Sequence, residues 1–548
     1  MVAPGESIAE QVDVAPVTSQ LQDAAVPPAA RRIAVPFAIA RDDPVRAIPV
    51  PRRSLPPRLH RERRAARRTI VHLTAEYRRY AYTGGLAEAV AGLASSQVRA
   101  GERVVVFVPL YDSVREVATD LVALAPPQPL VIGNRTEAVS FFREATRKYG
   151  PRVIFVDVPG CFARAGIYGD SGQEYPDNHL RFAFFSLAAL HGIRRFVRGP
   201  VLLHAHDWHA ALAPIYMRTL PALARRFAST PVVMSVHNAG YQGHFPPGVM
   251  EDLALPWELY TVERLEWYGR LNMLKGGLKF CDAVVTVSPA HAAELRTAEG
   301  GFGLHDTFNE LGARFTGICN GIDQRDWDPA TDRQIAANYS SADLSGKAVC
   351  KEAAQRAFGL PCRPDVPLLG MSSRLVGQKG FDILLQSARL RSVDVQLVVL
   401  GQGELRYHDA VSALAATHPE RIACEFGFTD HLEHQLMAGA DAVLMPSLYE
   451  PCGLTQMHAQ RYGAPVIGRR VGGIADTVVD NDTGFLFDAY NALALDEALD
   501  RALERFADRP AWRSMMQRAM ARDFGWDRSM MDYADVYRGA ERAVQAPG

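Results

Sequence analysis

From residue 69 onward the chain alternates short apolar runs, rich in Val, Ile and Leu, with longer stretches of helical pattern. Few folds accommodate that alternation. A strand that is apolar along its whole length needs cover on both faces. Helices between successive strands supply the cover, and the result is a mainly parallel sheet. The runs at 69–74, 103–109, 153–158, 201–206, 232–237 and 283–288 form one series, and those at 368–373, 396–401, 422–426, 442–446, 465–468 and 484–487 form a second. Two such series predict two doubly wound, Rossmann-like α/β domains. The break between them falls near 312–318. The expected organisation is therefore a domain over 69–315, a second over 316–526, and a final segment over 527–548. A chain of 548 residues has room for two large domains.

Residues 1–68 read differently. They are rich in Ala, Pro and Arg, with no sustained period, and 31–68 carries twelve Arg against three acidic residues. Such a stretch buries too little apolar surface to offset the entropy of ordering it, so a disordered extension is expected. It is either solvated or drawn to an anionic surface. Over the whole chain 60 Lys and Arg nearly balance 61 Asp and Glu, which argues against a bulk nucleic-acid binder. The 7 Cys are scattered without a C-x-x-C pair, which argues against a zinc ribbon and a disulfide scaffold and fits a reducing cytoplasm. No apolar run approaches the roughly 18 residues that span a bilayer. The opening Met1-Val2-Ala3-Pro4-Gly5-Glu6 lacks the basic-then-apolar pattern of a secretory signal.

Ligands of doubly wound sheets bind beyond the carboxyl ends of the strands, and the unusual residues of this sequence cluster there. Thr83-Gly84-Gly85-Leu86 lies between the first strand and a helix predicted over 87–100. That pattern fits a tight turn or a phosphate cradle of free N–H groups. His206-Asp207-Trp208-His209 ends one strand. Asp207 fits either a cap on the helix after it or a functional carboxylate, and the two roles are compatible; His206 with His209 lacks a clear third ligand for a metal site. His237-Asn238 ends another strand. In the second half Arg374 and Lys379 flank a loop loosened by Gly377 and Gly380. Two fixed cations suit a diphosphate whose charge must be held as it leaves. Glu450 lies at a strand end before Pro451-Cys452-Gly453-Leu454-Thr455, where a carboxylate can meet a sugar hydroxyl and helix-start amides a phosphate. Gly472-Gly473 precedes another helix. Cations and amides on one side of a cleft, with His, Asp, Asn and Glu on the other, suggest a nucleotide-sugar glycosyltransferase. A dehydrogenase using a nicotinamide cofactor is disfavoured, because no G-x-G-x-x-G comes after the first strand.

Taken in order, six segments resemble the bacterial glycogen synthases and plant starch synthases. They are Thr83-Gly84-Gly85-Leu86; His204-Ala205-His206-Asp207-Trp208-His209; Val236-His237-Asn238 with Tyr241-Gln242-Gly243; Asn320-Gly321-Ile322-Asp323; Ser373-Arg374-Leu375 with Gln378-Lys379-Gly380; and Glu450-Pro451-Cys452-Gly453-Leu454-Thr455-Gln456. The resemblance covers 69–538 and rests on the combination, not on any one segment. It implies a GT-B fold, two Rossmann-like domains facing a cleft. It implies transfer of glucose from ADP-glucose to the non-reducing end of an α-1,4-glucan such as glycogen, with retained configuration and with no metal or other cofactor. The last helix is expected to cross back to the first domain.

The same resemblance implies roles by position. Arg374 and Lys379 hold the donor diphosphate, and Glu450 lies near the donor sugar. His237 lies beside the donor glucose, with Asp207 and Asn238 as neighbours. Leu454 and Thr455 meet phosphate, Phe428 stacks on adenine, Asn320 opens the second domain, and Cys452 is close to the site. Thr83, Gly84 and Gly85, with Gly472 and Gly473, complete the expected binding set. Two positions depart from the family. Tyr82 stands where Lys is usual before Thr-Gly-Gly, and His458 where Tyr is usual in the bacterial enzymes. Arg78 and Arg79 are the nearby candidates to replace the missing cation. A different donor such as UDP-glucose, a different acceptor, or a catalytically weakened glucan-binding homologue fits the same motifs.

Overall fold

A computed structural model of the chain describes residues 68–146, 149–170 and 173–545. The extension expected over 1–67 lies outside the described residues. Nine strands form the first sheet. In chain order they are β1 (Thr69–Leu73), β2 (Arg103–Pro109), β3 (Leu121–Ile132), β4 (Arg135–Glu144), β5 (Arg152–Asp157), β6 (Val201–His206), β7 (Val232–Val236), β8 (Ala283–Thr286) and β9 (Phe315–Gly317). Side by side they run β9-β8-β7-β6-β1-β2-β5-β4-β3. Only the pairings of β4 with β3 and with β5 are antiparallel. The second sheet holds β10 (Leu368–Ser372), β11 (Gln396–Leu400), β12 (Ile422–Glu425), β13 (Ala442–Met445), β14 (Val466–Arg469) and β15 (Gly484–Phe487). It is ordered β12-β11-β10-β13-β14-β15 and is parallel throughout.

Both sheets therefore grow outward from their first strand and then reverse, between β1 and β6 in one and between β10 and β13 in the other. This is the doubly wound order. β1, β8, β10 and β13 are buried at every position, which is why these runs are apolar without alternation.

Three strands carry no strand signal in the sequence. β3 contains Pro126, Pro127 and Pro129. Proline removes a ladder donor, and β3 tolerates it because it is the outermost strand of its sheet. The β3–β4 register slips around these prolines, between Ala123 and Gln128. β4 pairs with β3 and is added to an otherwise parallel sheet, and β9 is only three residues long.

Five helices position the strand-end loops and close the first lobe: α1 (Gly85–Arg99), α2 (Asp430–Gly439), α3 (Thr455–Arg461), α4 (Gly472–Thr477) and α5 (Trp526–Gln545). α5 buries Trp526, Ser529, Tyr533, Tyr537 and Ala540, spaced three or four apart along one stripe. The stripe packs on Ile70, Leu93, Leu202, Val233 and Val285 of the first domain. At about 25 cal/mol per Å² of apolar surface, this burial fastens the end of the chain to the first sheet. The approach is close. A Cβ on Gly92 of α1 would lie 2.3 Å from the Trp526 indole nitrogen. Arg68 joins the far end, its guanidinium paired with Glu541 and 5.5 Å from the Tyr537 ring centre.

Candidate active site

In a doubly wound sheet the crevice opens where neighbouring crossovers leave to opposite faces, at the carboxyl ends of the strands flanking the reversal. In the first sheet β1 leads to Glu76 and the Thr83–Gly85 turn, β6 leads to Asp207, and β7 beside it leads to His237 and Asn238. In the second, β10 leads to Arg374 and Lys379 and β13 to Glu450. The two lobes meet through these loops. Ser288 Oγ donates to Pro451 O at 2.8 Å, and Ala290 N donates to Asp476 Oδ2 at 2.9 Å. Tyr449 packs edge-on against Phe302, ring centres 4.9 Å apart. Its hydroxyl sits where a Cβ on Gly240 would come within 2.7 Å.

The two predicted cations differ in state. Arg374 is exposed and makes no ion pair among the described residues. Lys379 Nζ lies 2.6 Å from Glu450 Oε2, which also accepts from Ser447 Oγ at 3.0 Å. Glu450 is buried, and these two partners meet its carboxylate there. Gly380 shapes this loop. Its φ is 79°, and a Cβ there would lie 1.9 Å from Pro446 O, so the turn that aims Lys379 needs glycine twice over.

The two glycine pairs also differ. Thr83 N and Oγ1 donate to Glu76 Oε2 and Oε1 at 2.8 and 2.7 Å, and Gly84 N reaches Oε2 at 3.3 Å. Tyr168 donates to the same carboxyl at 2.6 Å. Burial, opposed by these donors, raises the Glu76 pKa. A carboxylate of the chain itself thus meets amides that a phosphate cradle would leave free. Glu76 has no sequence signal beyond its place just after β1. In front of Gly84 and Gly85 the space is open. Gly472 and Gly473 are instead packed, with a Cβ landing 2.0 Å from Glu450 O and 1.9 Å from Cys452 O respectively. Their amides are engaged, Gly472 N with Glu294 Oε1 at 2.7 Å and Gly473 N with Glu450 O at 3.0 Å.

Asp207 does not cap the helix after it. It sits at φ 56°, and its Oδ1 accepts from His237 N at 2.7 Å, which ties the end of β6 to the end of β7. Burial pushes its pKa up to about 7. His237 is half-buried, with Nε2 3.0 Å from His206 Nδ1, and burial lowers its pKa to about 3, so the ring is neutral. Asn238 Oδ1 accepts from Gly240 N at 2.9 Å. Asn320 is buried, and its Oδ1 has no hydrogen-bond partner among the described residues. Cys452 is buried, its thiol pKa driven well up by burial. Leu454 and Thr455 begin α3, and Phe428 packs half-buried on the second core.

The two departures from the family pattern share one cluster across the cleft. Glu88 of α1 is 3.5 Å from His458 Nε2 and 3.1 Å from Arg78 Nη1. Arg78 Nη2 is 3.8 Å from Asp430 of α2, so it spans both lobes. Arg79 turns away to Glu144 at 3.2 Å. Burial, reinforced by Glu88 and Asp430, pushes Glu433 up to about 8, and burial with Glu433 raises the Tyr82 phenol. His458 stacks on Trp327 at 3.6 Å between ring centres. With Tyr82 in place of Lys, Arg78 is the cation of this cluster.

Among the described residues one set of side chains has metal-site spacing. One ring nitrogen from each of His72, His204 and His206 lies within 4.8 Å of the other two. All six ring nitrogens of the set are already hydrogen-bonded to Gln97, Tyr537, Ser235, His237 or each other. An ion there would displace those bonds, so the set fits a hydrogen-bonded chain better than a coordination sphere.

Residues 69–310 match the family described as starch synthase catalytic domain, and residues 357–517 match glycosyl transferases group 1. A glycogen synthase of Anaeromyxobacter dehalogenans is 41% identical over 477 residues, 86% of this chain and 99% of that protein. Glycogen synthase 2 of Geobacter sulfurreducens is 38% identical over 478 residues, 86% of this chain and 98% of that protein. Among solved structures, the catalytic domain of starch synthase IV from Arabidopsis thaliana, bound to ADP and acarbose, matches with a TM-score of 0.80 at 31% identity. The match covers 87% of this chain and 99% of that one. The sucrose-phosphate synthase of Thermosynechococcus elongatus, at 18% identity and a TM-score of 0.56, shares the fold alone. Among the described residues no helix is long and apolar enough to cross a membrane. Two doubly wound domains with their motifs at facing switch points, and relatives of this identity along nearly the whole described chain, place the protein in the glycogen and starch synthase family of glucan-elongating glycosyltransferases.

Proposed function

We propose that the chain extends an α-1,4-glucan, glycogen, in the cytoplasm by transferring glucose from ADP-glucose with retained configuration and without a metal ion. The observation that carries this reading is the pair of cations after β10. Arg374 is exposed and unpaired among the described residues, and Lys379 is held 2.6 Å from Glu450. The ADP found in the starch synthase IV structure supports an adenine nucleotide as donor.

The donor diphosphate binds Arg374 and Lys379, with the start of α3 at Leu454 and Thr455 contributing amides. As the C1–O bond lengthens, charge grows on the departing ADP, and the two cations stabilise it in place of a divalent ion. Glu450, relieved of part of its ion pair, accepts from a sugar hydroxyl. His237 is neutral and adds no positive charge beside an oxocarbenium-like centre. The acceptor hydroxyl attacks from the face the ADP leaves, and the leaving phosphate oxygen takes its proton. Contacts between the lobes exclude water and suppress hydrolysis.

The test is incorporation of radiolabelled glucose into glycogen from ADP-glucose and from UDP-glucose, each with and without a chelator. The reading predicts preference for ADP-glucose and full activity in chelator. Preference for UDP-glucose, strict dependence on added divalent ions, or no incorporation at all overturns it.

A further inference from the structure

A chain of buried polar side chains runs through the first domain from the C-terminal helix to His237. Tyr537 of α5 stands at one end. Gln97 Nε2 donates to its hydroxyl at 2.8 Å, and Gln97 Oε1 lies 2.8 Å from His72 Nε2. His72 Nδ1 is 2.9 Å from His206 Nε2, and His206 Nδ1 is 3.0 Å from His237 Nε2. A branch joins the Tyr537 hydroxyl to His204 Nδ1 at 2.9 Å and His204 Nε2 to Ser235 Oγ at 2.7 Å. Gln97, His72, His204, His206 and Ser235 are all fully buried.

Proton positions along such a chain are not independent. A neutral imidazole has one donor and one acceptor nitrogen. Burial lowers His72 to about 4 and His237 to about 3, and drives His204 and His206 well down, so none of these rings holds two protons near neutrality. The Gln97 carbonyl oxygen can only accept, so His72 carries its proton on Nε2. His72 Nδ1 is then an acceptor, and His206 must donate from Nε2. His206 Nδ1 is left as an acceptor, and His237 must donate from Nε2. The remaining nitrogen of His237, Nδ1, keeps its lone pair. Turning the Gln97 amide over would reverse every proton in the row.

We propose that Gln97, clamped by Tyr537 of the C-terminal helix, is a positioning residue that sets the tautomer of His237 through His72 and His206, so that His237 presents Nδ1 as an acceptor to a hydroxyl of the sugar. The proposal rests on the placing of His237 beside the donor sugar. It gives the crossing helix a chemical task in addition to its packing. Tyr537, midway along that helix, acts through Gln97 on the hydrogen-bonding character of a ring just past the carboxyl end of β7.

The experiment uses the full chain labelled with ¹⁵N-histidine, with the His237 signals identified by their loss in His237→Gln. Two-bond ¹H–¹⁵N correlations report which ring nitrogen carries the proton. The wild type is expected to show His237 protonated on Nε2. Gln97→Leu is expected to give a mixed or Nδ1-protonated His237, with kcat down about tenfold or more and KM for the donor within about twofold. For scale, holding a catalytic-triad histidine in the wrong tautomer lowers turnover roughly 10⁴-fold. Gln97→Glu, which keeps an oxygen facing His72, is expected to restore the tautomer and most of kcat. Tyr537→Phe removes only the hydroxyl and keeps the test available if Gln97→Leu does not fold. It should move the same signals in the same direction. An Nδ1-protonated His237 in the wild type overturns the proposal. So does loss of kcat with the tautomer unchanged, or stoichiometric metal on the three buried histidines. If His237→Gln turns over normally, the placing of His237 at the donor fails, while the spectra still decide whether Gln97 sets its tautomer.

Discussion

Replacing Lys379 by Met separates two things that one side chain does. Lys379 and Glu450 are 2.6 Å apart, and the Glu450 side chain is 5% exposed against 18% for Lys379. At an effective dielectric of about 20 their attraction is roughly 6 kcal/mol before desolvation. Removing one partner of a buried pair typically costs about 3–5 kcal/mol, because the other charge is left stranded. Lys379 is partly open to water, and Glu450 keeps the Ser447 hydroxyl, so Lys379→Met is expected near the lower figure, about 3 kcal/mol. On the proposed mechanism the same change removes a cation from the departing diphosphate, which is expected to lower turnover by about a hundredfold or more, equivalent to about 2.7 kcal/mol. Adding Glu450→Gln removes the stranded charge. The double variant should regain stability to within about 1 kcal/mol of the wild type while remaining inactive. Urea unfolding followed by tryptophan fluorescence gives the first quantity, and initial rates with ADP-glucose and glycogen give the second. Near-normal turnover in Lys379→Met, or a double variant that recovers both stability and rate, would refute the assignment of this cation to the leaving group.

Gly92→Ala sets a gain of about 1 kcal/mol in helix propensity against overpacking of about 1–3 kcal/mol. The indole it meets is rigid and only 3% exposed, so a net loss and a lower Tm are expected, and an unchanged Tm would contradict the packing of α5 on α1. Asp207→Asn tests the buried carboxyl. Its folded pKa of about 7 lies above the ordinary value near 3.9, so its contribution to stability is present below about pH 4 and is lost as pH rises toward 7. Asn cannot ionise and tolerates the positive φ, so the variant should show a flatter decline of stability between about pH 4 and 7. Denaturation midpoints across that range, unchanged in slope, would count against it. Arg78→Gln should raise the donor KM several-fold through loss of its Glu88 contact and of the Asp430 contact across the cleft, whereas Arg79→Gln, whose partner is Glu144, should not. Equal effects in a steady-state comparison would reject Arg78 as the stand-in for the family lysine.

Most of the features that place the site are visible before any coordinate. Burial on both faces demands unbroken apolar strands, so twelve of the fifteen strands of the two sheets announce themselves. The doubly wound pattern then puts Arg374, Glu450, Asp207 and His237 at strand ends. Of the missed strands, β3 is stabilised by its position at a sheet edge despite three prolines, and position in a sheet is not a local property. The glycine pairs look alike in sequence and differ in space. Gly84 and Gly85 face open room, whereas Gly472 and Gly473 are wedged against carbonyl oxygens.

The sequence by itself determined the fold class, the two lobes and the residues at the strand ends, because these arise from periodicity and from the chemistry of residue types along one chain. Only the tertiary structure decided which groups answer one another. Lys379 is joined to Glu450 71 residues away, Glu76 receives the amides of the Thr83 turn, Arg78 and not Arg79 reaches across the cleft, and Tyr537 touches Gln97 from 440 residues along the chain. A hydrogen bond or ion pair depends on angstrom-scale placement, and that placement arises from how whole sheets and helices pack, which no short stretch of sequence encodes.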